Sequence, residues 1–182
     1  MKVFLGAVLG FLALFALPAG ASVCRVSVEA NDVMQYNQKR LEIEPACTDV
    51  ELTLTHVGKQ PAQVMGHNWV LVRTADLTAV AIAGQNAGRA HNYQPPGDKR
   101  VIAATSLVGG GESTVVTFST SSLHPGETYS FFCSTPGHGA IMRGALVFGH
   151  AGDPDVAMTK DTKGPAGGAP ARTAQTTGRE TT

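Results

Sequence analysis

The chain has no excess of either charge, no even complement of cysteines and no apolar run of bilayer-spanning length, and each absence narrows what it can be. Fourteen Lys and Arg stand against fourteen Asp and Glu, and the balance holds when the charges of the two terminal segments are set aside. A chain this close to neutral has no basic stripe with which to hold phosphates, which excludes nucleic acid as a partner. The longest apolar stretch, Val3 to Leu17, falls short of the roughly 20 residues that a spanning helix needs. Lys2 precedes it and Pro18-Ala19-Gly20-Ala21 follows with an Ala-x-Ala ending, so residues 1–21 read as a secretory signal peptide removed at about Ser22. No membrane insertion is expected after that cleavage. A lipoprotein alternative would acylate Cys24, but that chemistry wants a small residue just before the cysteine, and Val23 stands there.

There are only three cysteines, Cys24, Cys47 and Cys133. In an exported chain the one left over needs its own explanation, such as a reactive thiol or a metal ligand. Cys24 and Cys47 can close a modest loop near the mature N-terminus, which leaves Cys133 free. The alternative, Cys133 paired with one of them, would strand a thiol in an oxidising compartment.

What the chain does have is a dense group of metal-ligating side chains. Cys133-Ser134-Thr135-Pro136-Gly137-His138-Gly139-Ala140-Ile141-Met142 sets a thiol, an imidazole and a thioether in one segment, with four and then three residues between them, and Gly66-His67 offers a second imidazole far upstream. Each residue alone has an ordinary reading: Cys133 and Met142 as core filler, the histidines as incidental. Two His, one Cys and a weakly held axial Met are together the ligand set of a blue-copper electron-transfer centre. Thiolate sulfur favours Cu(I), imidazole accepts both oxidation states, and a distant thioether adjusts the potential without fixing either geometry.

Between the ends, short alternating runs are separated by turn clusters. Cys24, Val26 and Val28 alternate with polar residues, as do Val50, Leu52, Leu54 and His56, which predicts half-buried strands. Further strands are predicted over 68–73, 101–107, 114–118, 129–133 and 144–148, with turns at Gly58, Pro95-Pro96-Gly97-Asp98, Gly109-Gly110-Gly111 and His124-Pro125-Gly126. Several short strands so spaced predict an all-β antiparallel sandwich or barrel. One stretch differs: Leu77, Val80, Ala81 and Gly84 recur at helical spacing, predicting a short helical insertion over 74–88 with Thr74 or Asp76 as its cap. From Gly149 onward Ala, Gly, Pro and Thr dominate. Residues 149–182 cannot bury enough apolar surface to offset their ordering entropy and read as a disordered tail, leaving one domain over 22–148.

These motifs resemble those of the azurins, small periplasmic blue-copper proteins of bacteria. Met65-Gly66-His67-Asn68-Trp69-Val70-Leu71 is similar to the azurin first-ligand motif, and Phe131-Phe132-Cys133 through Pro136-Gly137-His138 to Met142 is similar to its ligand loop. The four-residue gap from Cys to His separates azurins from plastocyanins and pseudoazurins, whose gap is shorter. The resemblance runs from about Cys24 to about Phe148 and implies a cupredoxin-like Greek-key β-sandwich, a Cys24–Cys47 bridge and one type 1 copper ion. It implies His67, Cys133 and His138 as strong trigonal ligands, Met142 as a long axial ligand and the Gly66 carbonyl as a weak contact opposite. Asn68 would tie its strand to the ligand loop near Ser134, and Trp69 would be the core indole. It further implies a monomeric periplasmic carrier whose partners are redox proteins, such as a c-type cytochrome or a reductase. These would dock on an apolar patch of Met34, Val64, Met65, Pro136, Ala140 and Ile141, with the His138 edge the ligand nearest solvent. Thr135 departs from the pattern, since many azurins carry a bulky apolar residue there, often Phe. His56 lies on the buried parity of its strand. In azurins the matching histidine is discussed as a pH-linked group, but one buried imidazole makes no switch without a bistable element, so it reads as a satisfied structural histidine.

Two other functions fit less well. A copper-handling protein relies on exposed Met-rich or Cys-rich sites selecting Cu(I). A copper enzyme needs a second centre, and six histidines without a single His-x-His do not supply one. A one-electron carrier, not an enzyme, is the expectation.

Overall fold

Strands that follow one another in this sequence mostly do not become neighbours in a sheet. The computed structural model describes residues 21–149. The segments expected as signal peptide and tail therefore lie, but for one residue each, outside the described residues. The chain lays down β1 (Val23–Ala30), β2 (Arg40–Ile43), β3 (Asp49–His56), a one-turn helix α1 (Ala62–Met65), β4 (Val70–Arg73), helix α2 (Leu77–Ala87), β5 (Ala103–Ala104), β6 (Ser113–Ser119), β7 (Tyr129–Phe132) and β8 (Arg143–Phe148). One sheet has the order β1-β3-β6 and the other β2-β8-β7-β4-β5. From β1 to β4 the chain changes sheet at every step, and this is why two pairings are parallel, β1 with β3 and β2 with β8. The expected all-β sandwich forms, and four of its six strand pairings are antiparallel; the two parallel ones need a crossover, and the passage through the opposite sheet provides it.

Period-two alternation decides which side chains meet between the sheets. On β3, Val50, Leu52, Leu54 and His56 are buried while the residues between them are half-exposed. They face Leu41, Leu71, Phe131, Leu146 and Phe148 of the five-stranded sheet within one core. Trp69 sits at its centre, fully buried, its ring centroid 6.1 Å from Phe118 and 5.7 Å from Phe131. Each such large side chain contributes about 1.5–3 kcal/mol by leaving water. A smaller cluster of Val70, Val72, Val80 and Phe132 lies beneath α2, so β4 and β7 are covered on both faces and their sequences read as near-continuous apolar runs.

The helical insertion is present, with Asp76, one of the two expected caps, at its N-cap position but without a capping hydrogen bond. Thr74, the other, shares a hydrogen bond with the Ser130 hydroxyl at 2.9 Å. Val80 and Gly84 are its buried residues. At Gly84 a Cβ would come within 2.2 Å of the Tyr93 carbonyl oxygen, so glycine lets the following loop close onto the helix. Of the strand expected over 101–107 only Ala103–Ala104 is regular, paired with Leu71 and Val70 of β4. Cys24 and Cys47 are bridged, with their Cα atoms 5.6 Å apart, and Cys133 is a free, buried thiol. The bridge ties the start of β1 to the turn entering β3.

Candidate metal centre

Three segments converge at one end of the sandwich. His67 enters just before β4 and is held by reciprocal backbone hydrogen bonds with Val108, at 2.9 and 2.8 Å. Cys133 follows directly on β7, and Met142 directly precedes β8. The loop between them is closed by Cys133 N–H to the Met142 carbonyl (3.0 Å) and tightened by His138 N–H to the Thr135 carbonyl (3.0 Å). Gly137 makes the turn at φ 83°, a left-handed conformation that favours glycine.

Within this frame His67, Cys133 and His138 bring their ligand atoms within 4.8 Å of one another. Cys133 Sγ lies 3.9 Å from His67 Nδ1 and 3.7 Å from His138 Nδ1, and the two Nδ1 atoms are 3.2 Å apart. His67 and Cys133 are sealed from solvent, as is Met142, while His138 keeps 6% exposure and is the ligand nearest water. The tautomer of His67 is fixed from outside: its Nε2 faces the Asn31 carbonyl at 2.9 Å, so the proton sits there and Nδ1 presents a lone pair inward. Burial, foremost, pushes the His67 pKa down to about 4 and lowers that of His138, so both imidazoles are neutral at neutral pH. Burial raises the Cys133 thiol, against hydrogen bonds from the Thr135 side chain and the Asn68 and Thr135 backbones. A thiol sulfur and two imidazole nitrogens thus converge in a dry site. A soft cation that displaces the thiol proton engages sulfur and nitrogen donors together, so the donor set fits copper.

Outer hydrogen bonds hold the donors in place. Asn68 spans the two ligand-bearing segments, its Nδ2 donating to the Ser134 hydroxyl at 2.7 Å and its Oδ1 accepting from Ser134 N–H at 2.9 Å. The second proton of Nδ2 goes to the Asn92 carbonyl at 2.7 Å. The sequence did not point to Asn92, nor to the Tyr36 hydroxyl that donates to the Asn68 carbonyl, nor to the Asn31 carbonyl. A partial signal existed for Asn31, a turn-forming residue whose Oδ1 accepts from Val33 and Gln35 N–H. The Gly66 carbonyl accepts from the Thr135 hydroxyl at 2.8 Å, and a Cβ at Gly66 would meet the Ala62 carbonyl at 2.5 Å.

His56 is fully buried with its ring centroid 4.6 Å from that of His67. Its Nε2 lies 3.0 Å from Asp32 Oδ1, but Nδ1 has no partner. The satisfied histidine expected from the sequence is therefore satisfied on one nitrogen only. Of the expected patch, Pro136, Ala140 and Ile141 flank His138, Val64 and Met65 end α1 immediately before Gly66, and Met34 shares the turn of Asn31. Pro136, Val64, Ala140 and Ile141 are exposed, while Met34 and Met65 are half-buried.

A buried set of two imidazoles and one cysteine sulfur, held at one end of a β-sandwich, defines a blue-copper centre. Residues 22–149 match the family of copper-binding proteins described as plastocyanin/azurin, and the chain belongs to that family. It is 50% identical over 131 residues to the azurin of Achromobacter denitrificans (72% of this chain, 88% of that one). It is 43% identical over 140 residues to that of Pseudomonas aeruginosa (77% and 95%). A solved azurin, Az-iso2 of the methylotroph Methylomonas sp. strain J, shares 42% identity at a TM-score of 0.68, covering 70% of this chain and 98% of that one. With this membership and the buried His67–Cys133–His138 trio, the protein is a type 1 copper electron carrier.

Proposed function

We propose that this carrier works in the periplasm as a monomer, moving single electrons between redox proteins such as a c-type cytochrome and a reductase, and catalyses no reaction of its own. Residues 1–21 direct its export. When bound, copper supplies the one-electron couple, and the chain supplies geometry. His67, Cys133 and His138 would hold the metal, with the Met142 thioether and the Gly66 carbonyl as weaker donors. Asn68 and Ser134 keep the two ligand-bearing segments in register. A site fixed from rigid strands changes little between oxidation states, and that keeps each transfer fast.

The observation that carries this reading is the burial of His67, Cys133 and Met142 behind a nearly closed His138. A protein that hands copper to a partner needs its donors within a partner's reach, and these are not. The test is repeated cycling of copper-loaded protein at an electrode in the presence of a strong Cu(I) chelator. A carrier keeps its metal and its signal through many cycles. Transfer of copper to the chelator at each reduction would establish a handling protein instead.

Electrons would enter and leave through the His138 edge, within the apolar patch of Met34, Val64, Met65, Pro136, Ala140 and Ile141. Exposed apolar groups clustered around one point mark interaction sites, and a small neutral contact suits a partner that must leave quickly.

A further inference from the structure

We propose that Lys39 and Arg143 form a cationic rim beside the ligand loop that docks an acidic redox protein, one whose carboxylates surround its own electron-transfer point. This rests on the carrier reading, with the His138 edge as electron port, and adds to it a charge that the apolar patch itself lacks.

Two observations place positive charge at that port. The Lys39 ammonium donates to the Ile141 carbonyl at 3.1 Å, so a side chain from the segment entering β2 is held against the loop between His138 and Met142. Its base is fixed as well, because the Lys39 carbonyl accepts from Ala145 N–H at 2.9 Å. From the side of α2, Arg143 lines a groove with Gly137, Gly139 and Ala140 on one bank and Ala81 and Ile82 on the other. Lys39 and Arg143 are both exposed. So are the apolar side chains beside them, Ile82 and Ile141, each at 56%. The surface thus offers an apolar seat with a cation on either side of the loop.

Neighbouring carboxylates are occupied elsewhere. Glu42 pairs with Arg40 at 2.7 Å. Asp32, in the turn of Met34, has both oxygens engaged by Lys59 N–H, Gln60 N–H and the His56 ring. Lys39 meets a carbonyl, which leaves its charge uncompensated. The chain as a whole carries as many acidic as basic residues, so its net charge neither draws in nor repels a partner, and local charges at the port decide how one is oriented on approach. Two cations there favour a partner with a ring of carboxylates and disfavour one with a ring of lysines. Exposed ion pairs are weak, which suits a complex that must part after a single transfer.

The test follows oxidation of the Cu(I) protein by two one-electron oxidants of opposite charge. Hexacyanoferrate(III) takes one electron and becomes hexacyanoferrate(II); tris(phenanthroline)cobalt(III) takes one and becomes the cobalt(II) complex. Wild type, K39Q/R143Q and K39E/R143E are compared between about 10 mM and about 1 M salt, where the Debye length falls from about 30 to about 3 Å. At low salt the anionic oxidant should react about threefold to tenfold more slowly with K39Q/R143Q than with wild type, and more slowly still with K39E/R143E. The cationic oxidant should not be slowed by either change. Hexaglutamate should inhibit the anionic oxidant with wild type and not with K39Q/R143Q. At high salt all three proteins should react alike. Equal rates at low salt, slowing of the cationic oxidant, or hexaglutamate without effect on wild type overturns the proposal and leaves the carrier reading intact. A difference that persists at high salt also overturns it, because it assigns the effect to a ligand loop disturbed through the Ile141 carbonyl. A wild type without a reversible one-electron couple overturns the carrier reading itself.

Discussion

Removing copper should leave a protein that weakens sharply in mild acid, because the fold holds His67 neutral where the unfolded chain protonates it. Burial and the neighbouring imidazoles lower its pKa from 6.5 to about 4. Above pH 6.5 neither state is protonated and the group makes no difference. Between 6.5 and 4 the unfolded chain takes up a proton that the folded one refuses, so stability falls as pH falls and levels off below about 4. At about 1.36 kcal/mol per unit of pKa, the loss is about 3 kcal/mol. His138, lowered by burial as well, acts in the same direction. The shifted carboxylates do not confuse the window. Asp32 is lowered from 3.8, chiefly by the Lys59 N–H, and Asp98 is lowered to about 2 by Arg100, so both act at lower pH. Urea denaturation of copper-free protein at intervals from pH 7.5 to 4 measures the effect. Copper-loaded protein, its imidazole lone pairs engaged, should change far less over the same range. Equal stability of the copper-free protein at pH 7 and pH 4.5 would mean that His67 protonates freely within the fold, and the account of a dry, lone-pair-lined site would be wrong.

Three other predictions are open to direct measurement. Replacing Cys24 and Cys47 by Ser frees a loop with a sequence separation of 23 and should cost on the order of 3 kcal/mol by the loop-entropy relation; a denaturation midpoint unchanged from wild type would contradict this. Met142→Leu should leave the protein blue and raise its potential, since a weak donor to Cu(II) is lost, whereas an unmoved potential would remove Met142 from the axial position. Ala140→Asp or Met65→Lys should slow electron self-exchange while colour and potential stay near wild type. Unchanged rates would send the search for the electron port to another face.

The strands and the ligands were legible in the sequence for different reasons. Strands such as β1 and β3 announce themselves because one face is buried and the other is not, so alternation survives in the residues. The ligands His67, Cys133 and His138 are legible because few functions need a thiol, two imidazoles and a thioether at such spacing. β2 escaped because Arg-Leu-Glu-Ile alternates for too few residues to stand out. Parallel pairing escaped because local sequence carries no record of which sheet a strand joins. The outer partners were the least legible. Asn92 and Asn31 act on Asn68 and His67 through backbone carbonyls, which any residue type would offer. Tyr36 acts through a hydroxyl whose target is 32 positions away. Side-chain chemistry is written in the sequence, while the direction of a main-chain carbonyl is decided by the fold.

The central claim is that Cys133 is the thiolate of a copper site completed by His67 and His138. Its most direct test is the visible spectrum of copper-reconstituted protein, read with the metal content of wild type and Cys133→Ser. The account predicts one copper per chain, an intense Cu–thiolate absorption that bleaches on reduction, and loss of that absorption in the serine variant. A Cys133→Ser protein that kept the blue band, or a wild type that bound copper without it, would contradict the account.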